Sequence, residues 1–135
     1  MNIETQLSNP LITGTELISL ELDGLPPTVN LMYRNVGTRR YKTAACHDYQ
    51  DFLASRLASL WNGKPPVTSP VSLYVKFSQC DRRRWDIDNR AKALQDCFQM
   101  SGIIKDDRQI DLLILHRVHN ADKASTLLSL WTLSD

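Results

Sequence analysis

The chain has 135 residues, 42% of them hydrophobic, and a formal net charge of +1. That length suits one domain with its own core and leaves no need for covalent staples. The near-neutral balance excludes a uniformly basic polymer binder, so any contact with an anionic polymer requires segregated charge.

Residues 1–16 are polar and without periodicity, and read as a loosely held N-terminal extension or an extra edge strand, ahead of a domain at 17–135. Leu17–Leu22 alternates, with Ile18, Leu20 and Leu22 on one face, which predicts a strand. Gly24-Leu25-Pro26-Pro27 ends it, because proline donates nothing to a ladder. Asn30–Lys42 gathers Arg34, Arg39, Arg40 and Lys42 beside Tyr33 and Tyr41, as a long basic loop or a short irregular hairpin. From Ala44 to Trp61 the apolar residues recur at steps of three and four, the period of an amphipathic helix, and Gly63-Lys64-Pro65-Pro66 stops it.

Val71, Leu73, Val75 and Phe77 alternate with Ser72, Tyr74, Lys76 and Ser78 in a second strand. A second helix is expected from about Asp88 to Met100, with Ala91, Leu94, Cys97 and Phe98 on its apolar face and Gly102 as its C-terminal glycine. A strand around Leu112 and Ile114, a turn at Asn120–Lys123 and a strand from Thr126 to Leu133 complete the chain. The order predicts a mixed α/β (α+β) fold, a single-layer mixed sheet with two main helices.

The densest polar stretch is Asp81-Arg82-Arg83-Arg84-Trp85-Asp86-Ile87-Asp88-Asn89-Arg90-Ala91-Lys92. In an extended segment Asp86 and Asp88 point the same way while Ile87 points back to the core. Two such carboxylates repel unless a cation lies between them, and a hard ion such as Mg²⁺ prefers carboxylate oxygen. The arginine forks of Arg82, Arg83 and Arg84 match phosphate oxygens. Lys92 stands one helical turn after Asp88. Acids, guanidiniums and an ammonium together are what phosphodiester hydrolysis uses. A further pair, Asp106-Asp107, completes a three-carboxylate site if its turn folds beside Asp88.

Each feature alone has a plainer reading. Asp88 reads equally as a helix N-cap, Asp88 and Lys92 as a surface ion pair, Asp106-Asp107 as turn chemistry, and the arginines as a solvated face.

The run Asp86-Ile87-Asp88-Asn89-Arg90-Ala91-Lys92-Ala93-Leu94-Gln95-Asp96 resembles the D-x-D-N-x-x-K-x-x-x-D signature of the RusA family of Holliday junction resolvases. Gly102-Ile103-Ile104-Lys105-Asp106-Asp107 is similar to that family's closing segment, and Leu25–Asn30 with Tyr33-Arg34 to its proline-rich entry. The resemblance implies Asp86, Asp88 and Asp107 as metal-binding catalytic acids and Lys92 as the catalytic lysine. It implies Asn89 as a loop or substrate contact and Asp96 as a helix-surface carboxylate or one behind the site. It further implies a Mg²⁺-dependent homodimer, with Mn²⁺ as substitute, that makes paired nicks in four-way DNA junctions during recombination and repair. Such enzymes are often encoded by phages and prophages. Trp85 departs from the family pattern and reads as a base-stacking side chain or a dimer contact.

DNA contacts are expected from Arg34, Arg39, Arg40, Lys42, Arg82, Arg83, Arg84 and Asn89. Two alternatives stand beside this reading: a non-catalytic module that binds branched DNA, and a nuclease of the same chemistry with another DNA target. His116 and His119, three apart in a strand, point to opposite faces and do not suit a zinc ion. His47 reads as surface, Cys97 as core, and Tyr33 and Tyr41 as packed or solvent-tipped. Cys46, Cys80 and Cys97 make no C-x-x-C pair, which favours a reducing cytoplasm. No leader pattern or bilayer-length apolar run is visible, so no membrane partner is expected.

Overall fold

The computed structural model describes residues 11–28 and 33–133. Most of the 1–16 extension, and Asn30 of the family resemblance, lie outside the described residues. The described chain forms β1 (Glu16–Asp23), β2 (Tyr33–Val36), β3 (Arg39–Lys42), α1 (Ala44–Trp61), β4 (Val71–Ser78), α2 (Ala91–Met100), β5 (Ile110–Val118) and β6 (Ser125–Thr132). Two short 3-10 turns, Ile87–Arg90 and Asp107–Gln109, precede α2 and β5. This is the mixed α+β architecture the sequence predicts.

A four-stranded sheet runs in the order β1-β6-β4-β5. β6 lies antiparallel to β1 and to β4, while β4 and β5 are parallel. β4 is buried along its whole length, because it is flanked by β6 and β5 and covered by the helices on one face. The main core unites Ile18, Leu20 and Leu22 of β1, Leu53 and Leu57 of α1, Leu73, Val75 and Phe77 of β4, and Leu94, Cys97 and Phe98 of α2. The basic segment is a separate hairpin, β2 against β3, turned by Gly37-Thr38. Gly37 has φ 63°, the sign that the first position of a type II′ turn reserves for glycine.

Local chemistry explains the helix limits. Thr43 Oγ1 accepts the Cys46 N–H at 3.2 Å and opens α1. Asn62, left-handed at φ 56°, returns its N–H to Ala58 and closes it. α2 ends as expected at Gly102, φ 81°, beyond which Ile103 and Ile104 are fully buried.

Residues 11–15, part of the segment read from sequence as a loosely held extension or an extra edge strand, are fastened to the sheet. Ile12 packs on Tyr74 and Trp131, and the Thr15 N–H donates to Thr132 Oγ1 at 2.8 Å. A Cβ on Gly14 would stand 1.8 Å from the Thr132 carbonyl oxygen. Gly14→Ala is therefore expected to destabilise by about 1–3 kcal/mol through overpacking, readable as a lower midpoint in urea at unchanged m-value.

Cys46 and Cys97 are buried, whereas Cys80 is exposed. Burial pushes the Cys46 thiol up and the Cys97 thiol up to about 12. A thiol reagent at pH 8 should therefore modify Cys80 alone in the native protein, and all three cysteines in denaturant; fast labelling of a second native thiol would contradict this core.

Candidate active site

The polar stretch after β4 is shaped by Gln79, whose buried side chain acts as a hub. Its Nε2 donates to the Arg83 carbonyl at 2.7 Å and to the Asp81 carbonyl and Oδ1 at 3.3 Å. It also faces His119 Nδ1 at 3.1 Å, while Gln79 Oε1 accepts the Trp85 indole N–H at 2.6 Å. Trp85 sits edge-on to Phe77, with ring centroids 5.4 Å apart, and carries the guanidiniums of Arg90 and Arg117 over its ring at 4.8 and 5.1 Å. Arg117 also donates to the Trp85 carbonyl and Arg90 to the Pro26 carbonyl. Trp85 thus anchors the loop inside its own chain.

From this anchor the chain enters the acidic pair. Asp86 is extended, but Ile87–Arg90 turns as a 3-10 helix, so the pair straddles the start of a turn instead of alternating along a strand. Ile87 packs against the core, and Asp86 and Asp88 on either side of it are exposed. The plainer readings of Asp88 do not hold. It caps neither helix, since α2 begins at Ala91 behind Arg90, and it makes no salt bridge with Lys92 among the described residues. Lys92 is exposed in the first turn of α2. Asn89 is half-buried, its N–H donated to the Asp86 carbonyl at 2.9 Å.

The second acidic pair divides its labour. Asp106 caps the 3-10 turn in a capping box with Gln109 and pairs with Arg108 at 3.0 Å. The Arg108 guanidinium and N–H hold its carboxyl down to about 2. Asp107 makes no salt bridge among the described residues. Its N–H donates to Gln99 Oε1 at 3.1 Å, next to the last residue of α2. Asp88, by contrast, precedes the first residue of that ten-residue helix, which is roughly 15 Å long. The sheet gives the same answer: Asp107–Gln109 leads into Ile110 opposite Val71, whereas the Asp86 loop comes after Ser78 opposite Val118. Within one chain Asp86 and Asp88 share one loop, two residues apart, and Asp107 lies at the other end of α2. Among the described residues no three His, Cys, Asp or Glu side chains gather closely enough to hold a metal ion. Asp86 and Asp88 remain a pair of exposed hard oxygen donors, a fit for part of a divalent-cation shell.

The basic residues separate in the same way. Arg34, Arg39 and Arg40 are exposed on the hairpin, with Arg40 stacked over Tyr33 at 4.1 Å. Arg82 and Arg84 are exposed beside the acids, and Arg83 is exposed but pairs with Asp81 at 3.5 Å. Lys42 is differently engaged: its ammonium donates to Gln50 Oε1 at 3.0 Å and lies 3.9 Å from Asp96. The Gln50 Nε2 in turn contacts Asp96 Oδ2 and the Ala93 carbonyl. Lys42, Gln50 and Asp96 therefore bind the hairpin to α1 and α2.

Comparison with known proteins bears directly on this arrangement. A family model described as "Endodeoxyribonuclease RusA" matches residues 23–127. The chain belongs to the RusA family of endodeoxyribonucleases. It is 33% identical over 87 residues to the crossover junction endodeoxyribonuclease RusA of Escherichia coli K12, covering 63% of this chain and 70% of that protein. Its similarity to the RusA of Enterobacteria phage 82 is 32% over 85 residues, with coverages of 63% and 70%. The RusA of Aquifex aeolicus is 27% identical over 114 residues, 84% of this chain and 86% of that protein.

This RusA-family chain is accordingly a nuclease, and the matched span contains both acidic segments, Lys92 and the basic hairpin. Sequence reasoning misses two of its organising residues, Gln79 and Gln50. The only signal for Gln79 is a polar residue directly after a buried strand; Gln50 falls among the apolar positions of α1, where a buried amide needs partners. No helix among the described residues is long and apolar enough to cross a membrane.

Proposed function

We propose that this RusA-family nuclease resolves four-way (Holliday) DNA junctions as a homodimer by paired symmetric nicks in recombination and repair. The observation that carries the reading is the pairing of two salt-bridge-free carboxylates, Asp86 and Asp88, with exposed Arg82 and Arg84 on one preorganised loop. The relatives' names, crossover junction endodeoxyribonuclease, supply the substrate class. Mg²⁺, or Mn²⁺ in its place, would be held by Asp86, Asp88 and Asp107. When bound it supplies Lewis acidity and neutralises charge on the reacting phosphate.

The remaining work falls to the chain itself. Arg82, Arg84 and the hairpin's Arg34, Arg39 and Arg40 hold backbone phosphates around the cut. Lys92, exposed at the start of α2, stabilises the charge that builds on the phosphoryl oxygens or protonates the leaving oxygen. Asn89 fixes the turn between Asp86 and Lys92. Because Asp107 lies at the far end of α2, each site takes its third carboxylate from Asp107 of the partner subunit. The two-fold symmetry this requires matches the symmetry of the junction.

Labelled four-way junction, duplex and flap, each in Mg²⁺ or EDTA, test the proposal. Symmetric nicks in the junction alone, abolished by EDTA and by Asp88→Asn, are expected. Binding without cleavage in any metal would leave a DNA-holding module, and equal cutting of all three substrates would remove junction specificity. Arg82→Ala with Arg84→Ala should weaken junction binding and reduce the slope of log K against log salt by about 1 for each lost phosphate contact.

A further inference from the structure

The two faces of the β2–β3 hairpin are used differently. Residues directly opposite each other in an antiparallel pair share a face, and successive residues alternate between faces. One face therefore carries Tyr33, Asn35, Arg40 and Lys42, and the other Arg34, Val36, Arg39 and Tyr41. The first face is anchored: Tyr33 packs against Cys46 and Ala93, Arg40 lies over the Tyr33 ring, and Lys42 reaches Gln50 and Asp96. The second face is open. All four of its residues are exposed, and two of them are large and apolar, Val36 at 54% and Tyr41 at 42%. Among the described residues Arg34 and Arg39 make no salt bridge. The Tyr41 ring carries no guanidinium there, unlike the rings of Tyr33 and Trp85.

We infer that Tyr41 is the residue by which this nuclease distinguishes branched DNA from plain duplex: its ring stacks on a base left unpaired where strands exchange, with Arg34 and Arg39 on the neighbouring phosphates. The inference rests on the reading above, that branched DNA is the substrate. Cations beside an exposed aromatic ring are the combination that holds unpaired nucleic acid, phosphates on the cations and a base on the ring. Arg34 stands directly across the ladder from Tyr41, and Arg39 lies two residues before it on the same face, so positive charge flanks the ring in both directions. In a duplex each base is covered above and below by its neighbours and offers no face to a tyrosine. At a strand exchange the stack is interrupted, so only branched DNA gains this contact. The anchored face makes the contact cheaper: the hairpin is already fastened to α1 and α2, and little order is left to impose on binding.

The test uses the full chain in EDTA, so that binding is read without cutting, on a four-way junction and on a duplex of the same sequence. Tyr41→Ala should weaken junction binding roughly 5- to 150-fold, the range for one stacked base, and leave duplex affinity and the junction's salt slope as in the parent. Tyr41→Phe should bind as the parent does. Arg34→Ala with Arg39→Ala should instead weaken both substrates and flatten the salt slope. A collapsed hairpin would also lose its cations, so it would lower duplex affinity and salt slope together. As a direct probe, 5-iodouracil replaces thymine at the exchange point or within the arms. Irradiation should cross-link the exchange-point base to Tyr41, located by peptide mass, and the arm bases far less. A Tyr41→Ala protein that keeps the parent's preference for junctions, that loses both substrates equally, or a cross-link confined to the arms, overturns the inference while junction binding itself stands. A parent protein that binds junction and duplex equally removes the branched-DNA reading and this inference with it.

Discussion

Asp88→Asn and Asp107→Asn protein, each inactive alone, should regain cleavage when their subunits are mixed. Each variant removes one acid from every site, and losing a charge-stabilising ligand costs on the order of 10²-fold or more in rate. In a mixed dimer whose sites draw Asp107 from the opposite subunit, both substitutions fall in the same site. The other site then keeps Asp86 and Asp88 from one chain and an intact Asp107 from the second. Free exchange of equal amounts leaves roughly a quarter of the parent sites functional, one per mixed dimer. The product should change as well: a junction nicked in one strand accumulates, because the second cut needs the damaged site. If each site were built within a single chain, every site in the mixture would lack one acid, and mixing would restore nothing. The decisive measurement is nicking by mixed dimers purified through two different tags. Silence from such dimers removes the shared site.

This arrangement is only partly legible in the amino-acid sequence, for identifiable reasons. The limits of α1 are local: Thr43 caps one end and Asn62-Gly63 supplies left-handed backbone at the other. The start of the second helix is not local. Asp88 has the chemistry of an N-cap, yet the chain makes a 3-10 turn first, while Arg90 reaches out to the Pro26 carbonyl and the Trp85 ring. Those partners are remote in sequence or depend on how the loop folds, so no local pattern reports them. Trp85 reads as an outward-facing aromatic until Gln79 is seen to accept its indole N–H.

The position of Asp107 is set by topology more than by spacing. In a strand, crossover helix and parallel strand, the loop that leaves the first strand and the turn that enters the second lie at opposite ends of the sheet. The parallel pairing of β4 with β5 therefore separates Asp86 and Asp88 from Asp107, however suggestive their order along the chain.

Gln79→Leu should damage the nuclease without touching DNA or an acidic side chain. Leucine nearly fills the same volume, so the loss comes from hydrogen bonds and not from a cavity. The substitution leaves the half-buried Trp85 N–H and the Arg83 carbonyl without the partners they have now. An orphaned buried group costs about 1–3 kcal/mol, so a total of roughly 2–4 kcal/mol is expected, a fall in Tm on the order of 10 °C. Catalysis should suffer more than binding. Arg82 and Arg84 remain exposed and charged, so junction affinity should change little. The path from Asp81 to Asp86 loses its tether, and a displacement near 1 Å at a reacting group costs about 10²-fold in kcat. A purely structural role for Gln79 predicts loss of active protein with kcat per folded molecule intact, which active-site titration distinguishes. Trp85→Phe completes the cycle: it removes the indole N–H but keeps an aromatic ring beside Phe77. If the two side chains act through their shared hydrogen bond, the double variant should be markedly more stable than the sum of the single losses implies. Additive losses would show that Gln79 does not organise the acidic loop through Trp85.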